Sequence, residues 1–146
     1  MPTKQITLGE VIALVAAAFK DKLDKGGQPY FLHCLHVMNK MDQDDHELMI
    51  IAVAHDLIED TDYTLAGISH DLGFTDRCVV GISDLTHTEG VPYMEYIKRI
   101  ALNPDARLVK MADLQHNSDI MRMKGLRKKD FDRLEKYHTA MAYLKD

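Results

Sequence analysis

Asp44-Asp45-His46-Glu47-Leu48-Met49-Ile50-Ile51-Ala52-Val53-Ala54-His55-Asp56-Leu57-Ile58-Glu59-Asp60-Thr61 is the stretch on which the reading of this chain turns. Asp44 with Glu47 three residues on has the spacing of a helix start. Leu48, Ile51, Ala52 and His55 then recur at helical spacing, so the segment reads as a helix that carries His55 on an apolar face. Asp56, Glu59 and Asp60 follow at once. Carboxylates packed this closely repel one another unless a cation or a substrate hydrogen bond stabilises them. Packing alone gives no reason to put them at the end of an apolar helix, so fold and site are read from the same residues.

Outward from this stretch the same helical grammar repeats. Thr7-Leu8-Gly9-Glu10 has capping-box spacing and leads into Val11, Leu14, Val15 and Ala18, a first helix expected to stop near Lys25-Gly26-Gly27. A second helix is expected over Tyr30 to Met41, with Phe31, Leu35 and Met38 in phase. Thr64 can cap a short helix ending at Gly73, and Thr75 the next, through Val79, Val80 and Leu85. Pro92 and Pro104 fit as first residues of two more, and the last helix is expected over roughly Lys129 to Leu144 after the turn at Gly125. Nothing alternates long enough for a strand. The expectation is a single all-α domain over residues 1–146, a helical bundle of about six to eight helices.

Composition narrows the functional classes. The 146 residues are 46% hydrophobic and 28% charged, which suits one soluble domain. With 18 Lys+Arg against 23 Asp+Glu the formal net charge is -5, the wrong sign for a chain that grips nucleic acid by its phosphates. Two cysteines, Cys34 and Cys78, do not make a disulfide scaffold, so a reducing cytoplasm is expected. The longest apolar run, Val11 to Phe19, is too short to span a bilayer, and Glu10 before it is wrong for a signal peptide. Neither a nucleic acid nor a membrane is expected as partner. Arg122, Lys124, Arg127, Lys128, Lys129, Arg133 and Lys136 form a basic stretch whose simplest reading is a solvated helix face, although it is also available for substrate binding.

A His-Asp dipeptide can offer one metal ion an imidazole nitrogen and a carboxylate oxygen together, but two ligands hold nothing selectively. His33, on a helix face with apolar neighbours, and Asp113, in Val109-Lys110-Met111-Ala112-Asp113, are the natural completions. A buried aspartate in that setting wants a cation.

Three segments in order carry a resemblance: Gly27-Gln28-Pro29-Tyr30-Phe31-Leu32-His33, His55-Asp56-Leu57-Ile58-Glu59-Asp60-Thr61, and Leu108-Val109-Lys110-Met111-Ala112-Asp113-Leu114-Gln115-His116-Asn117. Together they resemble the HD-domain hydrolases of guanosine tetra- and pentaphosphate, the hydrolase half of the RelA/SpoT enzymes and the stand-alone small alarmone hydrolases. The resemblance implies an all-helical HD domain without a synthetase half. It implies that His33, His55, Asp56 and Asp113 hold one Mn²⁺ and that Glu59 and Asp60 position and deprotonate the attacking water. It further implies that Asn117, with Lys22, Lys25 and Lys110, serves the substrate, a small phosphate-rich nucleotide. The reaction implied is release of pyrophosphate from the ribose 3′ position. The resemblance leaves oligomeric state open.

The chain departs from that family at Cys34, where proline is usual, and at Leu23, where a basic residue is usual. Cys34 is expected to be a buried small residue, and Leu23 keeps other HD phosphohydrolase substrates in view, a deoxynucleoside monophosphate or NADPH, as well as a non-catalytic nucleotide sensor. His36, one turn beyond His33, is expected at the surface or behind His33 rather than on the metal. His70 and His87 lie where two-metal HD enzymes carry extra ligands, but in no matching motif, so one metal is expected. Tyr96 is expected to pack with Ile97 and Ile100, Tyr93 is a candidate for stacking, and Arg107 is expected to neutralise a phosphate or an acidic neighbour.

Overall fold

In the computed structural model, which describes residues 4–146, the segment Leu48 to Val53 is buried without a break, the pattern of a helix surrounded on all sides. This helix, α3 (His46–Val53), packs against α1 (Leu8–Ala18), α2 (Phe31–Asn39), α6 (Asp76–Leu85) and α8 (Pro104–Asn117). The single turn α4 (Leu57–Asp60) follows α3 after a break. The short α5 (Leu65–His70) leads into α6, α7 (Tyr93–Ala101) leads into α8, and a 3-10 turn (Ile120–Arg122) precedes the long α9 (Lys128–Lys145). Apart from the one-turn α4, the described residues form eight α-helices and contain no strand beyond an isolated bridge between Leu23 and Pro29. The all-α architecture is the expected one. Residues 1–3 of the expected single domain lie outside the described residues.

Helix starts are where local chemistry places them. The Thr7 hydroxyl and Glu10 carboxylate make the reciprocal capping box. The Thr64 and Thr75 hydroxyls accept the amides of Gly67 and Cys78. Pro104 is the first residue of α8, with Asn103 as its cap, while Pro92 sits one residue outside α7. For α3 the cap is Asp45, not Asp44, its carboxylate accepting the Leu48 amide.

Two ends differ from expectation. The first helix stops at Ala18, well short of Lys25, because Phe19 is the last side chain with a core to enter; Leu23 is 61% exposed. Beyond it Asp24 folds the chain on itself, its carboxylate accepting the Gly26 and Gln28 amides, with the Tyr30 amide donating to the Lys22 carbonyl. A short acidic side chain bonding its own neighbours offers the backbone an alternative to helix. The third helix stops at Val53, so His55 lies in the turn between α3 and α4 and not on the helix itself.

α6 and α3 meet closely at Gly81, where a Cβ would lie 2.7 Å from Ile51 Cδ1 and 3.0 Å from Ile51 Cγ2. Ile51 is fully buried and has nowhere to go. Gly81→Ala is therefore expected to lower stability by about 1–3 kcal/mol in urea unfolding, despite alanine's better helix propensity. Ile51→Val removes the nearest atom, so the double variant should be less destabilised than the sum of the two singles. Strict additivity would refute the close approach as the cause.

Candidate metal centre and adjoining cleft

Three elements meet at one buried point. α2 brings His33, the turn between α3 and α4 brings His55 and Asp56, and α8 brings Asp113. Each offers one ligand atom, and these four atoms lie within 4.8 Å of one another. His33 is 1%, His55 2% and Asp113 5% exposed, while Asp56, with 17% of its side chain exposed, keeps one side of the cluster open. These are the four residues that the sequence proposed as a set.

Hydrogen bonds fix how the two imidazoles face the cluster. His55 Nδ1 lies 2.6 Å from the Ala52 carbonyl oxygen, an acceptor only, so that nitrogen carries a proton. His55 Nε2 then points inward, 3.0 Å from Asp56 Oδ2 and 3.3 Å from Asp113 Oδ1, yet makes no hydrogen bond with either. Burial opposes charge on His55, but Asp56 and Asp113 raise its pKa well above the ordinary value. A buried nitrogen without a hydrogen-bond partner, aimed between two carboxylates, fits a cation. The His₂Asp₂ set suits a divalent metal ion. His33 Nε2 is 2.9 Å from Asp113 Oδ1, and His33 Nδ1 is 2.8 Å from His116 Nδ1.

Asp113 is the most heavily used carboxylate. Its Oδ1 also accepts the Asn117 amide at 2.9 Å, and its Oδ2 accepts the Lys110 ammonium at 3.0 Å. Burial alone would raise its pKa, but Lys110, His33 and His55 hold it well below the ordinary carboxylate value. Lys110, expected among the substrate residues, is buried here against Asp113 and over the Tyr96 ring, and is not part of the cleft wall. The Tyr30 hydroxyl makes a very short hydrogen bond to Asp56 Oδ2. Burial works against the Asp56 carboxylate, while His55 and Tyr30 keep its pKa below the ordinary value.

Glu59 and Asp60, neighbours in sequence, are held differently. Glu59 Oε1 accepts the His87 amide at 2.6 Å, and burial pushes its carboxyl up, Asp56 and Asp60 adding to the shift. Asp60 Oδ2 pairs with Lys22 Nζ at 3.1 Å, and that ammonium also sits 4.2 Å from the centre of the Tyr30 ring.

Beside the cluster opens a cleft of about 330 Å³. Lys22, Lys25 and Asn117 line it as a group, with Tyr30, Arg122, Arg133 and Tyr137. Leu23 is in the same wall, where it adds no charge. The loop from Lys22 to Tyr30 is clamped to the 3-10 turn: Arg122 Nη2 donates to Asp24 Oδ2, and a Cβ on Gly26 would fall 2.1 Å from the Arg122 carbonyl oxygen.

Cys34 is fully buried, and burial pushes its thiol up to about 12. Tyr96 is core, its hydroxyl donating to the Leu85 carbonyl. Arg107 meets neither a phosphate site nor an acid, because its guanidinium donates to the carbonyls of Leu144 and Ala101 and ties α9 to the end of α7. His36 lies behind His33, stacked on His116 with ring centres 3.8 Å apart. Sequence reasoning assigned nothing to Tyr30, His116 or Tyr137. For His116 a signal existed, since Lys110, Asp113, His116 and Asn117 recur at the spacing of one helix face.

No family model matches the chain. A stretch of 110 residues, 69% of this chain, is 32% identical to 14% of a probable GTP pyrophosphokinase of Mycobacterium leprae. Another of 111 residues, 68% of this chain, is 32% identical to 16% of a guanosine-3′,5′-bis(diphosphate) 3′-pyrophosphohydrolase of Haemophilus influenzae. The chain thus spans less than a fifth of the length of these curated relatives. A solved structure, described as a metazoan ortholog of SpoT that hydrolyses ppGpp, superposes over 99% of this chain and 86% of its own with a TM-score of 0.77 at 18% identity. The chain has the HD-domain fold of that structure and is similar in sequence to (p)ppGpp hydrolases. In this HD domain the His-Asp pair is His55-Asp56, at the break between α3 and α4.

Removing one member of a buried charge pair costs far more than an exposed bridge contributes. Asp113→Ala in the metal-free protein is expected to cost about 3–5 kcal/mol, because Lys110 is left buried without its carboxylate. Asp113→Leu combined with Lys110→Met should recover most of that loss. The Asp113 pKa is lower folded than unfolded, so the stabilisation is present above its unfolded value of 3.8 and is lost as pH falls below it. Urea unfolding between pH 2.5 and 7 checks both points, and a double variant as acid-sensitive as wild type would count against the assignment.

Proposed function

We propose that this HD domain is a metal-dependent hydrolase that releases pyrophosphate from the ribose 3′ position of ppGpp, leaving GDP. The observation that carries the reading is the convergence of His33, His55, Asp56 and Asp113, one ligand atom of each within 4.8 Å of the others, beside a cleft with basic walls. The names of its relatives supply the substrate: a guanosine-3′,5′-bis(diphosphate) 3′-pyrophosphohydrolase and a metazoan SpoT ortholog that hydrolyses ppGpp.

His33, His55, Asp56 and Asp113 would hold the ion, with Mn²⁺ taken from the family resemblance. When bound, it would supply charge that stabilises the oxygens around the attacked phosphorus and makes the attacking water more acidic. Glu59 takes the proton of that water, its partly desolvated carboxyl having the raised basicity that suits a general base. Water adds to the phosphorus bonded to the ribose 3′ oxygen, that P–O bond breaks, and the ribose oxygen regains a proton. No covalent enzyme intermediate is required. Asp60 orients the water together with Lys22, and Lys22 and Lys25 face the phosphates from the cleft wall. Asn117 spans both parts of the site, lining the cleft while bonding Asp113.

No helix of the described residues is long and apolar enough to cross a membrane, and a nucleotide substrate in the cytoplasm is the setting we propose. The test incubates metal-stripped protein, resupplied with Mn²⁺, with ppGpp, NADPH and deoxynucleoside monophosphates in parallel. GDP and pyrophosphate are expected from ppGpp, with at least a hundredfold loss of rate in Asp56→Ala and in Glu59→Gln. Lys22→Ala should raise KM for ppGpp about tenfold, one charged hydrogen bond's worth. Turnover of another ester alone would leave the HD site and replace the substrate. Tight nucleotide binding without turnover would make the chain a sensor.

A further inference from the structure

Both ligand histidines must present an Nε2 lone pair to a cation, so each needs its proton on Nδ1 and an acceptor there to keep it. For His55 the acceptor is the backbone carbonyl of Ala52, 2.6 Å away, which no substitution removes. For His33 the atom within reach of Nδ1 is a side-chain nitrogen, His116 Nδ1, at 2.8 Å. His116 is built in. Its ring lies edge to edge and nearly coplanar with that of His33, 5.0 Å between centres and 7° between planes, so the two Nδ1 atoms face each other, and one face is stacked on His36 at 3.8 Å and 12°. Its own carbonyl accepts from Arg122 Nη1 at 2.8 Å. A ring stacked on one face by His36 and tied at its backbone has little freedom to turn its Nδ1 away.

We infer that His116 is a positioning residue of the metal centre: its Nδ1 accepts the His33 Nδ1 proton and so fixes the tautomer that aims His33 Nε2 at the cation, with His36 holding the ring in place. The inference rests on the metal reading of His33, His55, Asp56 and Asp113 given above, and not on the identity of the substrate. It also accounts for His36, which lies one turn from His33 and faces His116 rather than the cluster.

Two substitutions separate the acceptor from the packing. His116→Phe keeps a ring for His36 to stack on and removes the acceptor. His116→Asn gives up the ring and places an amide oxygen close to where Nδ1 stood. Free Mn²⁺ is followed by electron paramagnetic resonance during titration of metal-free protein, and the melting temperature of the same metal-free samples is recorded. His116→Phe is expected to weaken Mn²⁺ binding about 10- to 100-fold, the usual effect of losing a ligand's hydrogen-bond partner, while His116→Asn stays within about threefold of wild type. Loss of affinity in both variants in proportion to their melting temperatures would overturn the inference in favour of packing. Wild-type affinity in His116→Phe would overturn it and leave the metal centre standing. Failure of wild type itself to bind Mn²⁺, Zn²⁺ or Mg²⁺ would overturn the metal reading and this inference together.

Discussion

The Asp113 carboxylate is the constraint from which the rest of the structure follows. Within one buried group, Oδ1 meets His33 and Asn117 and stands near His55, and Oδ2 meets Lys110. An ion of this kind buried without partners costs several kcal/mol, so the helices that carry those partners must come together for any of them to fold. α8 provides Lys110, Asp113 and Asn117 from one face, α2 provides His33, and the chain must break after α3 to swing His55 inward. The exposed pair Lys128–Asp132 on α9 has no such leverage, since pairs of that kind contribute about 0–1 kcal/mol.

The cleft follows from the same geometry. Tyr30 begins where the Asp24 turn ends, and its hydroxyl reaches Asp56, so the loop that carries Lys22 and Lys25 is anchored to the metal cluster at one end. At the other end Arg122 and the close approach of Gly26 tie it to the 3-10 turn. The cleft is therefore preorganised by two attachments and does not need to be assembled by substrate. Basic walls beside a cluster of carboxylates also explain how an acidic chain can offer a site to an anion, because local field outweighs net charge at a few ångströms.

How much of this was legible depends on how local the physics is. Thr7, Thr64, Thr75 and Pro104 announced their helices because a cap acts within four residues. The set His33, His55, Asp56 and Asp113 was legible as chemistry, since apolar neighbours marked His33 and Asp113 as completions of the His55-Asp56 pair, but its assembly was not, because the two lie far apart in sequence and nothing local brings them together. The end of α1 was misread because helical periodicity was followed past Phe19, while the competing signal, Asp24 followed by two glycines, belongs to turns. Arg107 was misread for another reason. Its partners are backbone carbonyls of α7 and α9, and carbonyls are present at every position, so no residue pattern marks them.

Glu59 and Asp60 show how far environment separates two acids of adjacent number. Asp60 already spends a carboxylate oxygen on the Lys22 ammonium. Glu59 has an amide for its partner and is buried enough that its carboxyl is pushed up. A base must accept a proton during the reaction and give it back, which suits the group whose charge is least stabilised. On the proposed mechanism the labour divides accordingly: Glu59 would move the proton, while Asp60 holds Lys22, which lines the cleft.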